Sequence, residues 1–207
     1  MALFSKDLGI DLGTMYTRVV SGNQLLIEEP TVVAIVVDEQ KMVAWGQEAF
    51  DMFGRVPDSM EVTRPMLNGV IADYEVTEHM LRFLLRKISN RMFPPRILIT
   101  VPYGVTSVES RAVQEAALNA GSRDVNLIPQ PLAAALGIDL PISTPSGNMI
   151  LCLGGGATQA AVLAMYGIVT AETMRSGGMA MDESIVNYVR KKYGVIIGQL
   201  TAEQVKI

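Results

Sequence analysis

The spacing of hydrophobic residues changes several times along the chain, and each spacing predicts a type of secondary structure. Apolar runs bounded by glycine, proline or charged residues predict β-strands in four segments, 7–20, 24–37, 41–46 and 96–102. The last segment is almost wholly apolar, which predicts a strand buried on both faces of a sheet. Between residues 76 and 88 the apolar positions recur every three or four residues, so we expect an amphipathic helix that packs on this sheet.

Helix-start and helix-stop signals continue through the second half of the chain. Thr106 and Glu109, three residues apart, form a capping box that opens a helix. Pro131 suits the first turn of a short helix, and residues 182–193 form an amphipathic pattern that Gly194 ends. Strand patterns and helix patterns therefore alternate, which predicts an α/β protein.

Two distant segments share one plan. Residues 10–20 and 151–163 each read as an apolar strand, a glycine-containing turn with a threonine, and a second apolar strand. One such hairpin alone is most simply a tight turn between strands. The pair indicates a duplicated fold in which two glycine turns face each other across a cleft, with their backbone N–H groups around the phosphates of a nucleotide.

Composition narrows the class of protein. The 207 residues are 49% hydrophobic and 18% charged, which is enough for a buried core. The net charge of −4 gives no electrostatic reason to expect nucleic-acid binding. The single cysteine, Cys152, forms no internal disulfide, and no apolar run reaches the ~18 residues of a membrane span. We therefore expect a soluble, cytoplasmic protein without nucleic-acid partners.

Several motifs together carry a resemblance to a known family. They are DLGT at 11–14, RPMLNGVIADYEVTEHML at 64–81, PSGNM at 145–149, the glycine loop at 154–156 and TAEQVKI at 201–207. The chain resembles the MreB/Mbl proteins, bacterial actin homologues that determine rod shape, from about residue 7 to residue 207. The arginine-proline stretch at 64–81 is the most specific of these motifs.

The resemblance implies an actin-like ATPase fold of the ribonuclease H-like type, in which two α/β domains flank an ATP cleft and the molecules polymerise. Residues 1–145 would then form domain I, with 32–65 as its small outer lobe. Residues 146–207 would form only part of domain II, because family members continue well beyond the corresponding position. We therefore expect a complete first domain and a truncated second one.

The resemblance also implies a site for ATP or ADP with Mg²⁺. Asp11 would face the metal through water. The implied nucleotide contacts come from the first turn at Gly13, Thr14, Met15 and Tyr16, from the loop at Gly154, Gly155 and Gly156, and from the last helix at Glu203, Gln204, Val205 and Lys206. Met15 and Tyr16 are bulky where the family has alanine and asparagine. Without the resemblance, Glu203 and Lys206 would be interpreted as an ion pair on a solvated helix.

Four departures from the family lie at the groups that handle metal, phosphate and water. The family sequence Asp-Ile-Gly-Gly-Gly-Thr-Thr-Glu begins here with Cys152, and its first threonine and final glutamate are Ala157 and Gln159. Gln130 takes the place of the glutamate that would act as the catalytic acid-base group. An amide orients water but does not accept its proton. We therefore expect weakened or lost ATP hydrolysis and weakened binding of the magnesium nucleotide.

Three functions follow from these observations. The first is a cytoskeletal, MreB-like protein of cell-shape determination with damaged hydrolysis, which self-associates or joins full-length MreB. The second is an interaction module without nucleotide that dimerises, or that caps or regulates full-length MreB filaments. The third, an active small ATPase or kinase of the same fold, is disfavoured by the missing acids.

Contact with a membrane is a separate hypothesis. Met92 and Phe93 lie between arginines in a predicted loop, and Leu3 and Phe4 lie near the N-terminus. By the resemblance, such apolar pairs dip into the inner face of the cell membrane, and flanking arginines suit anionic lipid. Alternatively, Met92 and Phe93 only cover the core beneath their loop.

Overall fold

A computed structural model describes residues 6–39, 41–89 and 93–207. Its strands, in chain order, are β1 (Asp7–Leu12), β2 (Tyr16–Ser21), β3 (Gln24–Pro30), β4 (Val33–Val36), β5 (Lys41–Trp45), β6 (Met60–Thr63), β7 (Met66–Leu67), β8 (Val70–Ile71), β9 (Arg96–Val101), β10 (Asp124–Pro129), β11 (Asn148–Leu153), β12 (Thr158–Ala164) and β13 (Gly167–Met174). Its helices are α1 (Gln47–Asp51), α2 (Tyr74–Ile88), α3 (Ser107–Asn119), α4 (Gln130–Gly137), α5 (Gly178–Tyr193) and α6 (Gln199–Lys206).

The largest sheet has five strands in the order β10-β9-β1-β2-β3. The first three strands of the chain form antiparallel hairpins, β9 pairs with β1 in parallel, and β10 pairs with β9 in parallel. Alternate residues such as Ile10, Val19 and Ile99 pack with Met80 of α2 in one large core. The expectation that β9 is buried on both faces is wrong, because its side chains alternate and Leu98, facing away from that core, is 42% exposed.

The predicted helices are present, with two changes of boundary. Helix α2 begins at Tyr74, two residues before the predicted start at residue 76. The capping box of Thr106 and Glu109 opens α3, and Pro131 lies in the first turn of α4. Helix α5 begins at Gly178, four residues before the predicted start at residue 182. Its first turn has no capping side chain to signal it, and the N–H of Gly178 instead donates to the carbonyl oxygen of Gly154.

A small sheet in the order β5-β4-β6 packs with α1 beside the main sheet. It has its own apolar cluster of Val32, Ala34, Ala44 and Ala49. This unit spans residues 33–63. The resemblance implies a small outer lobe over 32–65, and that division into domains stays a prediction.

The third sheet repeats the hairpin plan of the first. Strands β11, β12 and β13 pair antiparallel in sequence order, as β1, β2 and β3 do. Its inner face packs Ala161 and Leu163 against α4. Its outer face leaves Met149, Leu151 and Leu153 between 57% and 70% exposed. Among the described residues no strand pairs with the free edge of β11, whereas the corresponding edge of β1 pairs with β9.

No helix in the described part of the chain combines the length and the apolar character that crossing a membrane requires.

Candidate functional site

The two glycine turns predicted from the internal repeat have the same geometry. In the β1–β2 turn the N–H of Gly13 donates to the carbonyl oxygen of Tyr16 at 3.1 Å, and in the β11–β12 turn Gly154 donates to Ala157 at 2.9 Å. A Cβ atom would lie 2.7 Å from the acceptor oxygen at Gly13 and 2.8 Å from it at Gly154. Both turns therefore need glycine at this position, which explains the shared sequence plan.

The two turns also touch each other directly. A Cβ atom on Gly155 would overlap the Cγ atom of Met15. A Cβ atom on Gly156 would overlap the Thr14 hydroxyl oxygen and lie 2.9 Å from the backbone nitrogen of Asn68. The molecule has one half built on the five-stranded sheet and another built on the sheet β11-β12-β13. The second and third glycines of the loop are therefore required for close approach between these two halves.

A cavity of about 310 Å³ lies where the turns meet. It brings together most of the residues that the sequence predicts for the phosphate end of the site. Its lining includes Asp11, Gly13, Thr14, Met15, Tyr16, Gln130, Gly154, Gly155 and Gly156. Arg18 and Thr100 also line it, and sequence reasoning missed both.

Asp11 is already engaged by neighbouring side chains. The Thr100 hydroxyl donates to Asp11 Oδ1 at 2.7 Å, and Arg18 Nη1 lies 3.8 Å from Asp11 Oδ2. Thr100 and Arg18 belong to the strands on either side of β1, so only the pairing of the sheet reveals the contacts. Asp11 is therefore a carboxylate with a cationic neighbour.

The donor set does not fit a magnesium ion. Burial raises the pKa of the Cys152 thiol, and the charge of Asp11 raises this pKa further, so Cys152 is a neutral thiol at pH 7. Magnesium prefers oxygen ligands, and here the second acid of the family is a sulfur atom. In the described ranges no three histidine, cysteine or acidic side chains group as metal ligands would. Asp11, beside Arg18, is the acidic residue found in the lining of this cavity within the described part of the chain.

Gln130 is held by a second glutamine. Gln159 Nε2 donates to Gln130 Oε1 at 2.5 Å, and the N–H of Tyr103 donates to Gln159 Oε1 at 2.7 Å. Gln159 is only 1% exposed. The two residues that replace family glutamates are thus bonded to each other, with Gln130 at the junction of β10 and α4 and Gln159 in β12. The acceptor oxygen that could orient a water molecule receives a hydrogen bond from Gln159.

The residues of α6 that the resemblance assigns to nucleotide binding lie in different environments. Lys206 Nζ lies 2.8 Å from the carboxylate of Asp182, a buried residue of α5 that sequence reasoning missed. Glu203 lines a second cavity of about 350 Å³ between α6 and the small sheet's helix α1. Gln204 and Val205 are exposed. Glu203 and Lys206 therefore have separate roles, and Lys206 pairs with Asp182.

Arg64 connects the second cavity to the first glycine turn. It lines that cavity and donates to the carbonyl oxygens of Thr14, Met15 and Thr31, each at 3.4 Å. Burial lowers the pKa of its guanidinium, while the negative charge of Glu203 acts to raise this pKa. Arg64 begins the motif that carries the family resemblance, but its position facing the turn is evident only in the fold.

Of the residues proposed for membrane contact, Leu3, Phe4 and Met92 lie outside the described residues. Phe93 is 39% exposed, in the segment that leads into β9. Membrane contact therefore remains a prediction.

Two sheets with the same hairpin plan, whose glycine turns meet at a cleft, define an actin-like protein. Solved structures share this fold. The crystal structure of MreB5 of Spiroplasma citri bound to ADP has a TM-score of 0.91 at 30% identity, covering 98% of this chain and 61% of that one. The MamK double helical filament, at 22% identity, has a TM-score of 0.80 and covers 97% of this chain and 63% of that one.

The family model described as MreB/Mbl protein matches residues 5–207, and the chain therefore belongs to the MreB/Mbl family. It is 48% identical to the cell shape-determining protein MreB of Pasteurella multocida, over 99% of this chain and 60% of that protein. It is 42% identical to the cell shape-determining protein Mbl of Bacillus subtilis, over 99% of this chain and 62% of that protein. The chain thus spans about 60% of the length of the curated relatives it matches.

Proposed function

We propose that the chain binds an adenine nucleotide between its two glycine turns without hydrolysing it at an appreciable rate, and that it acts in this state in a cytoplasmic, cell-shape-determining filament. The partners would be further copies of the chain or full-length MreB. The observation that carries the proposal is the hydrogen bond between Gln159 and Gln130. The family membership and the neighbouring structures of MreB5 bound to ADP and AMPPNP support nucleotide binding.

The paired glutamines bear on hydrolysis in two ways. An amide does not take up the proton that an attacking water must lose, and a positioned base typically contributes ~10²–10⁴ in rate. In addition, the bond from Gln159 occupies one of the two acceptor sites on the Gln130 oxygen, which leaves a single site for orienting a water. The site therefore supports holding a nucleotide better than cleaving it.

The proposed nucleotide would lie along the two cavities. Its phosphates would meet the backbone of the turns at Gly13 and at Gly154–Gly156, which line the first cavity. Its nucleoside would extend towards Glu203 and Arg64, which line the second. Met15 lines both cavities and is therefore the side chain between the two parts of the ligand.

A turnover assay tests the loss of hydrolysis. We expect phosphate release from ATP at background rate, and a gain of about 100-fold or more when Gln130→Glu and Cys152→Asp restore two of the three family acids that this chain lacks. The matched control is Gln130→Glu with Cys152→Ser, which supplies the base without the second carboxylate. Turnover by the unaltered chain at the rate of the restored variant would contradict the proposal.

A second candidate is an interaction module that binds no nucleotide. It is favoured by the packing of Met15 against Gly155, which narrows the phosphate end of the site, and by the exposed apolar outer face of β11. Calorimetry with ADP distinguishes the two candidates. Absence of any binding heat, together with dimerisation or co-sedimentation with full-length MreB, would favour this second function.

A further inference from the structure

We propose that Arg18 takes the place of the metal cation in this site, so that the chain binds the phosphates of its nucleotide without Mg²⁺. The inference rests on the proposed nucleotide binding and specifies its chemistry. The recognised group is the free, metal-unbound diphosphate or triphosphate of an adenine nucleotide.

The register of the main sheet fixes the position of Arg18. Arg18 on β2 lies directly opposite Asp11 on β1 and directly opposite Glu28 on β3, so the three side chains form a row on one face. Arg18 Nε donates to Glu28 Oε1 at 2.8 Å, and its guanidinium carbon lies 5.4 Å from the centre of the Tyr16 ring. The base of the guanidinium is therefore tethered on the side away from Asp11.

The guanidinium that Glu28 holds through Nε belongs to a residue that lines the cavity. Arg18 Nη1 is 3.8 Å from Asp11 Oδ2, which is an ion pair but too long for a hydrogen bond. Within the described ranges, Nε is the Arg18 atom for which a hydrogen bond is found. A guanidinium presents a planar fork of donors that matches two phosphate oxygens, and this fork remains for a ligand.

The cavity's charges suit this role. Among the described residues that line it, Arg18 is the one basic side chain and Asp11 the one acidic side chain. The lining also includes both glycine turns, so a phosphate held by Arg18 lies within the same 310 Å³ as the turns' backbone N–H groups. An anion bound in this cavity therefore lies near the positive charge of Arg18.

A magnesium ion at Asp11 would meet the wrong neighbours. It would lie beside the Arg18 guanidinium, and two positive charges at such a distance repel each other. Arg18 therefore provides the positive charge beside Asp11, and a second cation at this position is disfavoured.

Calorimetric titration of the whole chain with ADP, in buffer containing Mg²⁺ and in buffer containing EDTA, tests the inference. We expect dissociation constants that agree within about twofold in the two buffers. Arg18→Gln should weaken binding by about tenfold or more in both, because it removes charge-assisted hydrogen bonds to phosphate. Arg96→Gln is the matched control: it removes an exposed, ion-paired arginine of the same sheet that does not line the cavity, and should bind ADP as the unaltered chain does.

Each outcome has a separate meaning. Binding that requires Mg²⁺ would overturn this inference and leave the proposed nucleotide binding intact. Equal affinity of Arg18→Gln and the unaltered chain would overturn the role of Arg18. Absence of ADP binding in both buffers would overturn the proposed function itself. The comparison of the two buffers uses only the unaltered chain, so it decides the question even if Arg18→Gln does not fold.

Discussion

At the scale of single residues, the two glycines that bring the turns into contact face neighbours of different flexibility. Opposite Gly155 lies the flexible side chain of Met15, whereas opposite Gly156 lie the Thr14 hydroxyl and the backbone nitrogen of Asn68. A flexible side chain can move away from an added methyl group, but backbone in a packed turn cannot without shifting both halves. The two glycines should therefore differ in their tolerance of substitution.

A double-mutant cycle tests this difference. We expect Gly156→Ala to lower the free energy of unfolding by about 1–3 kcal/mol and Gly155→Ala to lower it by less. Met15→Ala should remove most of the effect of Gly155→Ala, because it deletes the overlapping Cγ atom, and leave that of Gly156→Ala unchanged, which chemical denaturation measures. Met181→Ala, at an exposed methionine of α5, controls for loss of a methionine side chain. Equal costs for the two glycine variants in the Met15→Ala background would contradict the expectation.

At the scale of elements, the start of α3 links the two halves of the molecule. Glu109 Oε2 accepts from the N–H of Thr106 at 2.7 Å, and Glu109 Oε1 accepts from Arg175 Nη2 at 2.7 Å. The backbone N–H of Thr106 is the largest cause that lowers the pKa of the Glu109 carboxyl below its ordinary value of 4.5, and Arg175 lowers it further. One carboxylate thus caps a helix and holds the residue that follows β13.

This depressed pKa predicts a pH dependence of stability. Because the folded pKa lies below 4.5, the contribution of Glu109 is present above that value and is lost as the pH falls through the folded pKa. We expect Glu109→Gln to lower the free energy of unfolding by about 1 kcal/mol at pH 7, and by progressively less in acid. Urea denaturation from pH 7 to low pH measures the difference, and Glu115→Gln on the same helix is the control. A difference that stays constant over this range would contradict the assignment.

The segment before β9 gives a prediction for the membrane hypothesis. Phe93 is partly exposed there, and the adjoining Met92 lies outside the described residues. We expect Met92→Ser with Phe93→Ser to reduce co-sedimentation with anionic liposomes, because the apolar contact with the acyl region is lost. Phe83→Ser, at an exposed phenylalanine of α2, is the control. Unchanged co-sedimentation of the double variant would remove the hypothesis.

Local sequence patterns predicted the helices and turns well. They did not predict side-chain contacts that form only when distant segments pair or pack. The capping box at Thr106 and the turn at Gly154 are encoded within a few residues, so the sequence alone located them. Arg18 beside Asp11 and Lys206 beside Asp182 are brought together by sheet register and by helix packing. No periodicity within one segment carries that information, and the family resemblance did not point to Arg18.

At the scale of the whole molecule, the two halves are unequally covered. The first sheet has β9 and β10 beside β1, whereas the outer face and outer edge of β11 are open in the described structure. Apolar surface and unpaired strand edges both favour association. The outer face of β11, with Met149, Leu151 and Leu153, is therefore the surface from which we expect self-association of this chain.

Sedimentation over a range of concentrations measures this association. We expect the average mass to rise above 22.4 kDa with concentration. Leu151→Ser with Met149→Ser should shift the transition to higher concentration, because less apolar area is removed from water. Val43→Ser, at an exposed position of β5, is the control. A chain that remains monomeric and well folded throughout would contradict the expectation.

The bond from the Tyr103 N–H to Gln159 makes one backbone amide a reporter of the cleft. Tyr103 follows β9 of the first half, and Gln159 lies in β12 of the second, so this hydrogen bond breaks when the halves separate. Its exchange with deuterium then proceeds through the open form, and its protection factor measures the equilibrium between closed and open cleft. A ligand that closes the cleft will slow the exchange of this proton, and a partner that opens it will speed the exchange.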